Sequence, residues 1–442
     1  MTLALCVDVG STFTKAVLVD VSTGALVGAA SSPTTVEPDV MDGVDAVCRE
    51  LAAHGPVAET LVCSSAGGGL RIAVVGYERE VTAEAGHRVA LSAGGRVVHV
   101  SSGLLDGDGV RQLRAASPDL VLLVGGTDGG NADVLRHNAA RLASARVSMP
   151  VVVAGNAEAA DEVSQALSRT GRRHVVTANV LPRIGVIAPH EARSAIREAF
   201  LEHVIGGKGL SRGRGFTELV RAATPDAVLA GVELLADVFG EDVLVVDIGG
   251  ATTDVYSVLR PQGEDARIER DVAGSLWQER TVEADLGMRW NALGIVEAAD
   301  RENLPLADDT RAYAVHVASV TSHRASTDEE WAHECALARV AATVAARRHG
   351  RSRAAGDRPR PLADVGLLLG SGGVFRHGPA ALGDEVLTAV LADHGGGWTL
   401  PATAAHGEDT AYVLFACGLL AGRHPLAARA LAATLARDSE KA

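Results

Sequence analysis

Two short stretches of this chain carry residue types suited to holding a phosphate chain, DVGSTFTK at 8–15 and DIGGATTD at 247–254. A phosphate needs backbone N–H donors at close range, and a turn without bulky side chains supplies them. Gly10, Ser11, Thr12 and Phe13 offer such donors in the first stretch, and Gly249, Gly250, Ala251 and Thr252 in the second. Two such turns facing each other would grip the outer phosphates of a nucleotide from both sides. Asp8 and Asp247 are suited to hold Mg²⁺ through water, because that ion dehydrates reluctantly and takes few direct carboxylates. Either carboxylate could instead orient an attacking water. Lys15 and Asp254 occupy equivalent places with opposite charge. Lys15 either reaches a phosphate or stands in solvent, and Thr14 and Thr253 either donate hydroxyls or serve as β-branched strand residues. A third glycine turn, LLLGSGGVF at 367–375, ends an apolar run, where ligands of α/β sheets commonly lie. Gly370, Ser371, Gly372 and Gly373 would let an adenosine approach the backbone there, or simply connect a strand to a helix. VGGTDGGN at 124–131 presents the same choice, with Asp128 and Asn131 as polar contacts or a tight turn leading into a capped helix.

The elements that must position these residues are repeated. VDVGSTFTKAVLV and VDIGGATTDVYSV run from Val7 and Val246 in matching register, a constant 239 positions apart. In each, a strand ends in a glycine turn and a second strand follows at once, the pattern of a tight β-hairpin. A third strand follows through STG at 22–24 and RPQGED at 260–265, so each half opens as a three-strand meander. This duplication predicts two similar lobes, 1–240 and 241–442. Within the first lobe, LVCSSAGG, RIAVVGYE, RVVHVSSG, LVLLVGGTD, PVVVAGNA and HVVTANV read as buried strands separated mostly by helices, which predicts a parallel, doubly wound unit inserted at about 60–180. Residues 189–240 read as helices ending in TPDAVLAGVELLADVFG, where Thr224, Pro225 and Asp226 form a helix start. VEADLGMRWNALG at 282–294 reads as a helix whose Glu283 and Asp285 either approach the nucleotide or complement the helix dipole. Gly231 and Gly418 would let two helices cross closely as a hinge, or mark plain helix packing.

Composition narrows the class. A formal charge of −14 opposes nucleic-acid binding, which needs an excess of Lys and Arg. The Arg-rich stretch at 346–360 reads as a solvated loop after a helix. The five cysteines form no close pair or metal-type spacing, and no apolar run approaches the roughly 20 residues of a spanning helix, so a cytoplasmic protein is expected. Rival nucleotide signatures, the G-x-x-x-x-G-K-[ST] loop and the G-x-G-x-x-G turn, do not occur.

The two Asp-x-Gly hairpins followed by a GSGG turn resemble the phosphate-1, phosphate-2 and adenosine motifs of actin, Hsp70-type chaperones and sugar kinases. The resemblance implies an actin-like ATPase (ribonuclease H-like) duplicated α/β fold with an inserted doubly wound subdomain, binding ATP and Mg²⁺. A closer likeness runs through CSSAGGGLRIAVVG, PDLVLLVGGTDGGN, PVVVAGN, TANVLP, TPDAVLAGVELLADVFG and RTVEADLGMRWNA. These segments resemble the glutamate mutase-associated MutL/GlmL family, which is unrelated to the mismatch-repair protein of the same name. That family implies an ATP-driven reactivating factor for a coenzyme-B12-dependent aminomutase, its partner being the mutase subunits, with neither nucleic acid nor membrane involved. The cofactor is expected on the partner, because no D-x-H-x-x-G motif occurs at any of the fifteen histidines. The inserted unit is the expected partner surface. Two other readings stand beside this one, a small-molecule kinase of the same fold and a nucleotide-switched scaffold or filament protein.

Overall fold

Three five-stranded sheets organise the computed structural model, which describes the chain except residues 36–38, 67–69, 79–80, 206–209, 212–214, 260–277, 352–361, 395–398 and 440–442. The first sheet comprises β1 (Leu3–Val9), β2 (Phe13–Asp20), β3 (Ala25–Pro33), β4 (Val57–Ser64) and β10 (Val220–Ala223), in the order β3-β2-β1-β4-β10. The second comprises β11 (Val243–Ile248), β12 (Thr253–Val258), β13 (Gln278–Glu283), β14 (Leu367–Gly372) and β15 (Ala405–Glu408), in the order β13-β12-β11-β14-β15. Both consist of an antiparallel meander to which two parallel strands are added. Equal strand order, equal pairing sense and matching hairpins make this the duplicated, actin-like ATPase fold. RPQGED at 260–265 lies outside the described residues.

The third sheet is all parallel: β5 (Leu70–Gly76), β6 (Gly95–Ser102), β7 (Leu120–Leu123), β8 (Val151–Val153) and β9 (His174–Val176), in the order β6-β5-β7-β8-β9. That is a doubly wound order, with the connection reversing direction at β5. β4, grouped by sequence with the strands of the insert, pairs instead with β1 and β10, so the third sheet begins at Leu70. β10 itself corrects the all-helical reading of 189–240. VEADLGMRWNALG also departs from expectation, since Glu283 ends β13 and the helix starts only at Ala292 (Ala292–Arg301).

Strand alternation decides what each face meets. Leu3, Leu5, Val7 and Val9 of β1 pack into the core of the first lobe, whereas Ala4 and Cys6 face the second lobe. On β11, Leu244, Val246 and Ile248 face their own lobe's core, and Val243 and Val245 look back. Between the two inward faces lie the helices Thr224–Phe239 and Leu414–Ala421, whose side chains join both sheets in one apolar core. The first starts at Thr224 with Pro at its N-terminal turn and stops at Gly240, which adopts the left-handed cap (φ 87°). A Cβ on Gly231 would lie 1.9 Å from the Leu414 carbonyl oxygen, and one on Gly418 would lie 1.9 Å from that of Ala227. The two backbones therefore touch where the lobes meet.

The Arg-rich stretch is not a free loop over its described part. Residues 346–350 end the helix Asp328–Gly350. Arg347, which is buried, pairs with Asp393 (2.7 Å) and Glu302 (3.3 Å), and Arg348 pairs with Glu283 (2.9 Å) and Asp285 (2.6 Å). Those two acids are accordingly engaged by an arginine rather than free for a ligand. No described helix is long and apolar enough to cross a membrane.

Candidate functional site

Extending each alternating series to the strand end builds the site. Ala4 and Cys6 lead to Asp8; Val19 and Val17 lead to Lys15; Val243 and Val245 lead to Asp247; Val258 and Tyr256 lead to Asp254. The register confirms the symmetry: Asp8 lies opposite Lys15, Asp247 opposite Asp254, and Asp247 beside Ser371. All five residues thus stand on faces that look across at the other lobe. Thr14 and Thr253 point the opposite way and are fully buried. The Thr14 hydroxyl shares a hydrogen bond with that of Thr34 (3.1 Å), and Thr253 donates to the Leu286 carbonyl (2.7 Å).

The two turns close alike. Gly10 N–H donates to the Phe13 carbonyl (3.1 Å) and Gly249 N–H to that of Thr252 (2.9 Å). A Cβ would sit 2.7 Å from the first acceptor or 2.9 Å from the second, so only glycine admits the turn without displacement. These two N–H groups are spent, which leaves the tips Ser11–Thr12 and Gly250–Ala251 to meet a ligand. Thr34 braces the first turn by donating through N–H to Thr12 O (2.9 Å) and through its hydroxyl to Gly10 O (2.9 Å). The second is braced by Met288, Arg289 and Trp290, whose N–H groups bond to Gly249 or Gly250, and by Asn291 Nδ2 on Ala251 O (2.7 Å).

In the GSGG turn the glycines serve different neighbours. The space at Gly370 is filled by the Phe375 ring, and that at Gly372 by the Ile248 backbone, while the nearest atom to a Cβ on Gly373 is the Tyr412 hydroxyl at 3.9 Å. Asp128 and Asn131 bind within the insert: Asp128 accepts from Ala157 N–H and Asn179 Nδ2, and Asn131 accepts from Asp133 N–H.

Charge in the cleft is concentrated. Asp8 accepts from the Thr224 hydroxyl (2.5 Å), at the first residue of the interlobe helix, and its other oxygen faces Lys15 Nζ at 3.8 Å. Burial raises the Asp8 carboxyl, and Lys15, Thr224 and Cys63 oppose that rise. Burial alone would depress Lys15, but Asp8, Tyr412 and Asp247 outweigh it and hold the ammonium above its ordinary value. Asp247 is pushed up to about 6, first by burial and then by Asp254, Asp8 and Asp409, with Lys15 opposing. Arg280 of β13 neutralises Asp254 at 2.6 Å, and its other nitrogen donates to Gly94 O in the insert (3.2 Å).

Several members of this cluster carry no sequence motif. Asp409, just past β15, accepts from Val413 and Leu414 N–H (2.8 and 3.1 Å) and so starts the second interlobe helix; burial raises its carboxyl. Tyr412 holds a left-handed backbone (φ 55°), unusual for a bulky residue, and places its ring 4.1 Å from Lys15 Nζ and 4.8 Å from the Arg376 guanidinium. Arg324, from the loop after the helix Asp308–Ser319, lies 5.1 Å from the Phe13 ring and so spans the two lobes.

No group of three or more His, Cys, Asp or Glu among the described residues is arranged to hold a bare metal ion. Both Asp8 oxygens have partners, whereas Asp247 is half-buried beside other carboxylates and carries no such hydrogen bond among the described residues, a donor set that fits a hydrated, hard cation better than a direct cage. The arrangement can bind polyanionic phosphate at two glycine tips, balance it with Lys15, Arg376 and Arg324, and present a carboxylate that exchanges a proton near pH 6.

A model of the MutL protein family matches residues 4–435. Protein MutL of Clostridium tetanomorphum is 36% identical over 448 residues, covering 94% of this chain and 95% of the relative. Among solved structures, the chain is similar to a ROK family glucokinase from Streptomyces griseus in complex with glucose and AMPPNP, at 13% identity and a TM-score of 0.32, covering 97% of this chain and 98% of that one. It is also similar to the activator of 2-hydroxyisocaproyl-CoA dehydratase from Clostridium difficile with bound ADPNP, at 11% identity and a TM-score of 0.31, covering 100% and 97%.

Proposed function

The chain belongs to the MutL protein family, and from that premise we propose that it binds and hydrolyses ATP between its lobes to reactivate a partner, a coenzyme-B12-dependent glutamate mutase or related aminomutase. The observation that carries the nucleotide part is the meeting of buried Asp8 and Asp409 with half-buried Lys15 and Asp247 in one cluster beneath two matching glycine turns. The partner part rests on the resemblance to the mutase-associated family. Ser11–Thr12 and Gly250–Ala251 receive the outer phosphates, Lys15 balances their charge, and Gly373 beside Tyr412 opens toward the nucleoside. Mg²⁺ entering with the nucleotide would neutralise phosphate charge, with Asp247 holding its water shell and Asp8 in support.

Closure follows from where the hinge elements begin. Thr224 binds Asp8 and opens one interlobe helix, while Asp409 opens the other. A ligand bound to both tips favours the lobe arrangement that lets both contacts form, and it biases the lobes only by that difference in affinity. The output is altered affinity for the mutase, allowing damaged cobalamin to leave and intact cofactor to enter.

The test is turnover of an inactivated B12-dependent mutase after adding this protein, ATP and Mg²⁺. Recovery that requires ATP and is lost in Asp247→Asn is expected. A demonstrated complex without recovery counts against reactivation, and ADP release driven by a small metabolite without the mutase would favour a kinase.

A further inference from the structure

The geometry points to Arg324 as the residue that contacts the terminal phosphate of a bound nucleoside triphosphate from across the cleft, distinguishing it from the diphosphate. This role rests on the nucleotide reading above. Arg324 is exposed, and no carboxylate among the described residues pairs with it. Lys15 and Arg280, by contrast, are engaged by Asp8 and Asp254, while Arg376, like Arg324, meets an aromatic ring, that of Tyr412. Its guanidinium lies over Phe13, the residue that closes the first glycine turn.

The backbone that carries Arg324 is fixed to the second turn. Arg289 N–H donates to Gly250 O (2.8 Å), and Arg289 Nε donates to the carbonyl of His323, the residue preceding Arg324 (3.0 Å). Arg289 is held in turn by buried Glu334 (2.9 Å), which also accepts from the Tyr313 hydroxyl (2.8 Å). The His323 ring packs edge-on against His316 with centroids 4.8 Å apart. Arg324 therefore travels with Gly250 while reaching Phe13 on the opposite lobe. His377 is depressed by burial and then by Arg376, Arg324 and Lys15, so these three cations converge on one side of the cleft. A planar guanidinium delivered from one lobe to a phosphate held by the other is the arrangement by which an arginine stabilises transferring phosphoryl charge.

Calorimetric titration of the full chain with AMP-PNP and with ADP, each with Mg²⁺, tests this on the wild type, Arg324→Ala and Arg324→Lys. The expected result is tighter binding of AMP-PNP than ADP by the wild type. Arg324→Ala should lose about tenfold or more in AMP-PNP affinity, the worth of a charge-assisted hydrogen bond, with ADP affinity changed less than about twofold. Arg324→Lys should fall between, because an ammonium keeps the charge but not the fork. Equal losses for both nucleotides, or no loss for either, would overturn the role. A wild type that binds neither nucleotide refutes the nucleotide reading itself, and this role with it.

Discussion

Replacing Gly231 or Gly418 with alanine places a methyl group where a carbonyl oxygen of the crossing helix already stands, 1.9 Å away in each case. Carbon and oxygen settle at about 3.3 Å or more, so the helices must part by roughly 1.4 Å or distort locally. Two effects oppose each other. Alanine favours a helix interior over glycine by about 1 kcal/mol, whereas forcing extra volume into a packed contact costs about 1–3 kcal/mol and occasionally more. Because the obstacle is backbone rather than a side chain that can rotate away, the steric cost takes the upper end of its range, and a net loss of about 2 kcal/mol is left for each variant. Gly422 is the internal control. It ends the same helix with φ −77°, and a Cβ there meets nothing within 4 Å. Gly422→Ala should be neutral or stabilising by about 0.4–1 kcal/mol. Urea unfolding followed by circular dichroism reads all three. Midpoints for Gly231→Ala and Gly418→Ala at or above the wild-type value would refute the claim that the lobes meet through backbone contact.

Two further outcomes follow from the buried charges. Asp247, raised to about 6, keeps its proton in the folded state while the unfolded chain releases it near its ordinary value of about 3.9. Its contribution to stability is therefore present below about pH 4 and is lost as pH rises through 6, a change of about 3 kcal/mol, so Asp247→Asn should gain on the wild type by that order between pH 4 and 7 in parallel denaturation series; a gap independent of pH would contradict the shift. Arg280→Met leaves half-buried Asp254 without its cation beside Asp247 and should cost up to about 3 kcal/mol, most of it recovered by adding Asp254→Leu, because removing both charges restores neutrality. A double variant no better than the single one in urea midpoint would show that Arg280 acts by packing.

Much of this architecture was readable because duplication wrote the same hairpin twice, and each copy sits between apolar runs long enough to register as strands. β10 (VRAA) and β15 (AHGE) escaped that reading: each has four residues, too few to show a period of two, and they become strands only because β4 and β14 offer an open edge. Alternation along β2 and β12 separates Lys15 from Thr14 and Asp254 from Thr253, yet the motif alone groups them together. Arg324, Asp409 and Tyr412 lie in connections with no glycine signature, and their place in the cleft depends on how helices distant in sequence pack. VEADLGMRWN has helix-like composition, but its first two residues end β13 and the rest is held as a turn, because Met288, Arg289 and Trp290 bond to the second hairpin before a helix can start.

The two copies of the hairpin are alike in shape and unlike in how they are kept neutral. In the first, the cation is the hairpin's own Lys15; in the second, that position is acidic and the cation comes from β13, with one nitrogen on the insert at Gly94. Gly94 also abuts the backbone N–H of Asp226, two residues beyond the Thr224 that binds Asp8. The insert is therefore not an appendage that could be excised with a short linker. Trimming it would remove a shared abutment of both ancestral halves, and any minimal version of this protein would have to supply a new acceptor for Arg280 before its cleft could be built.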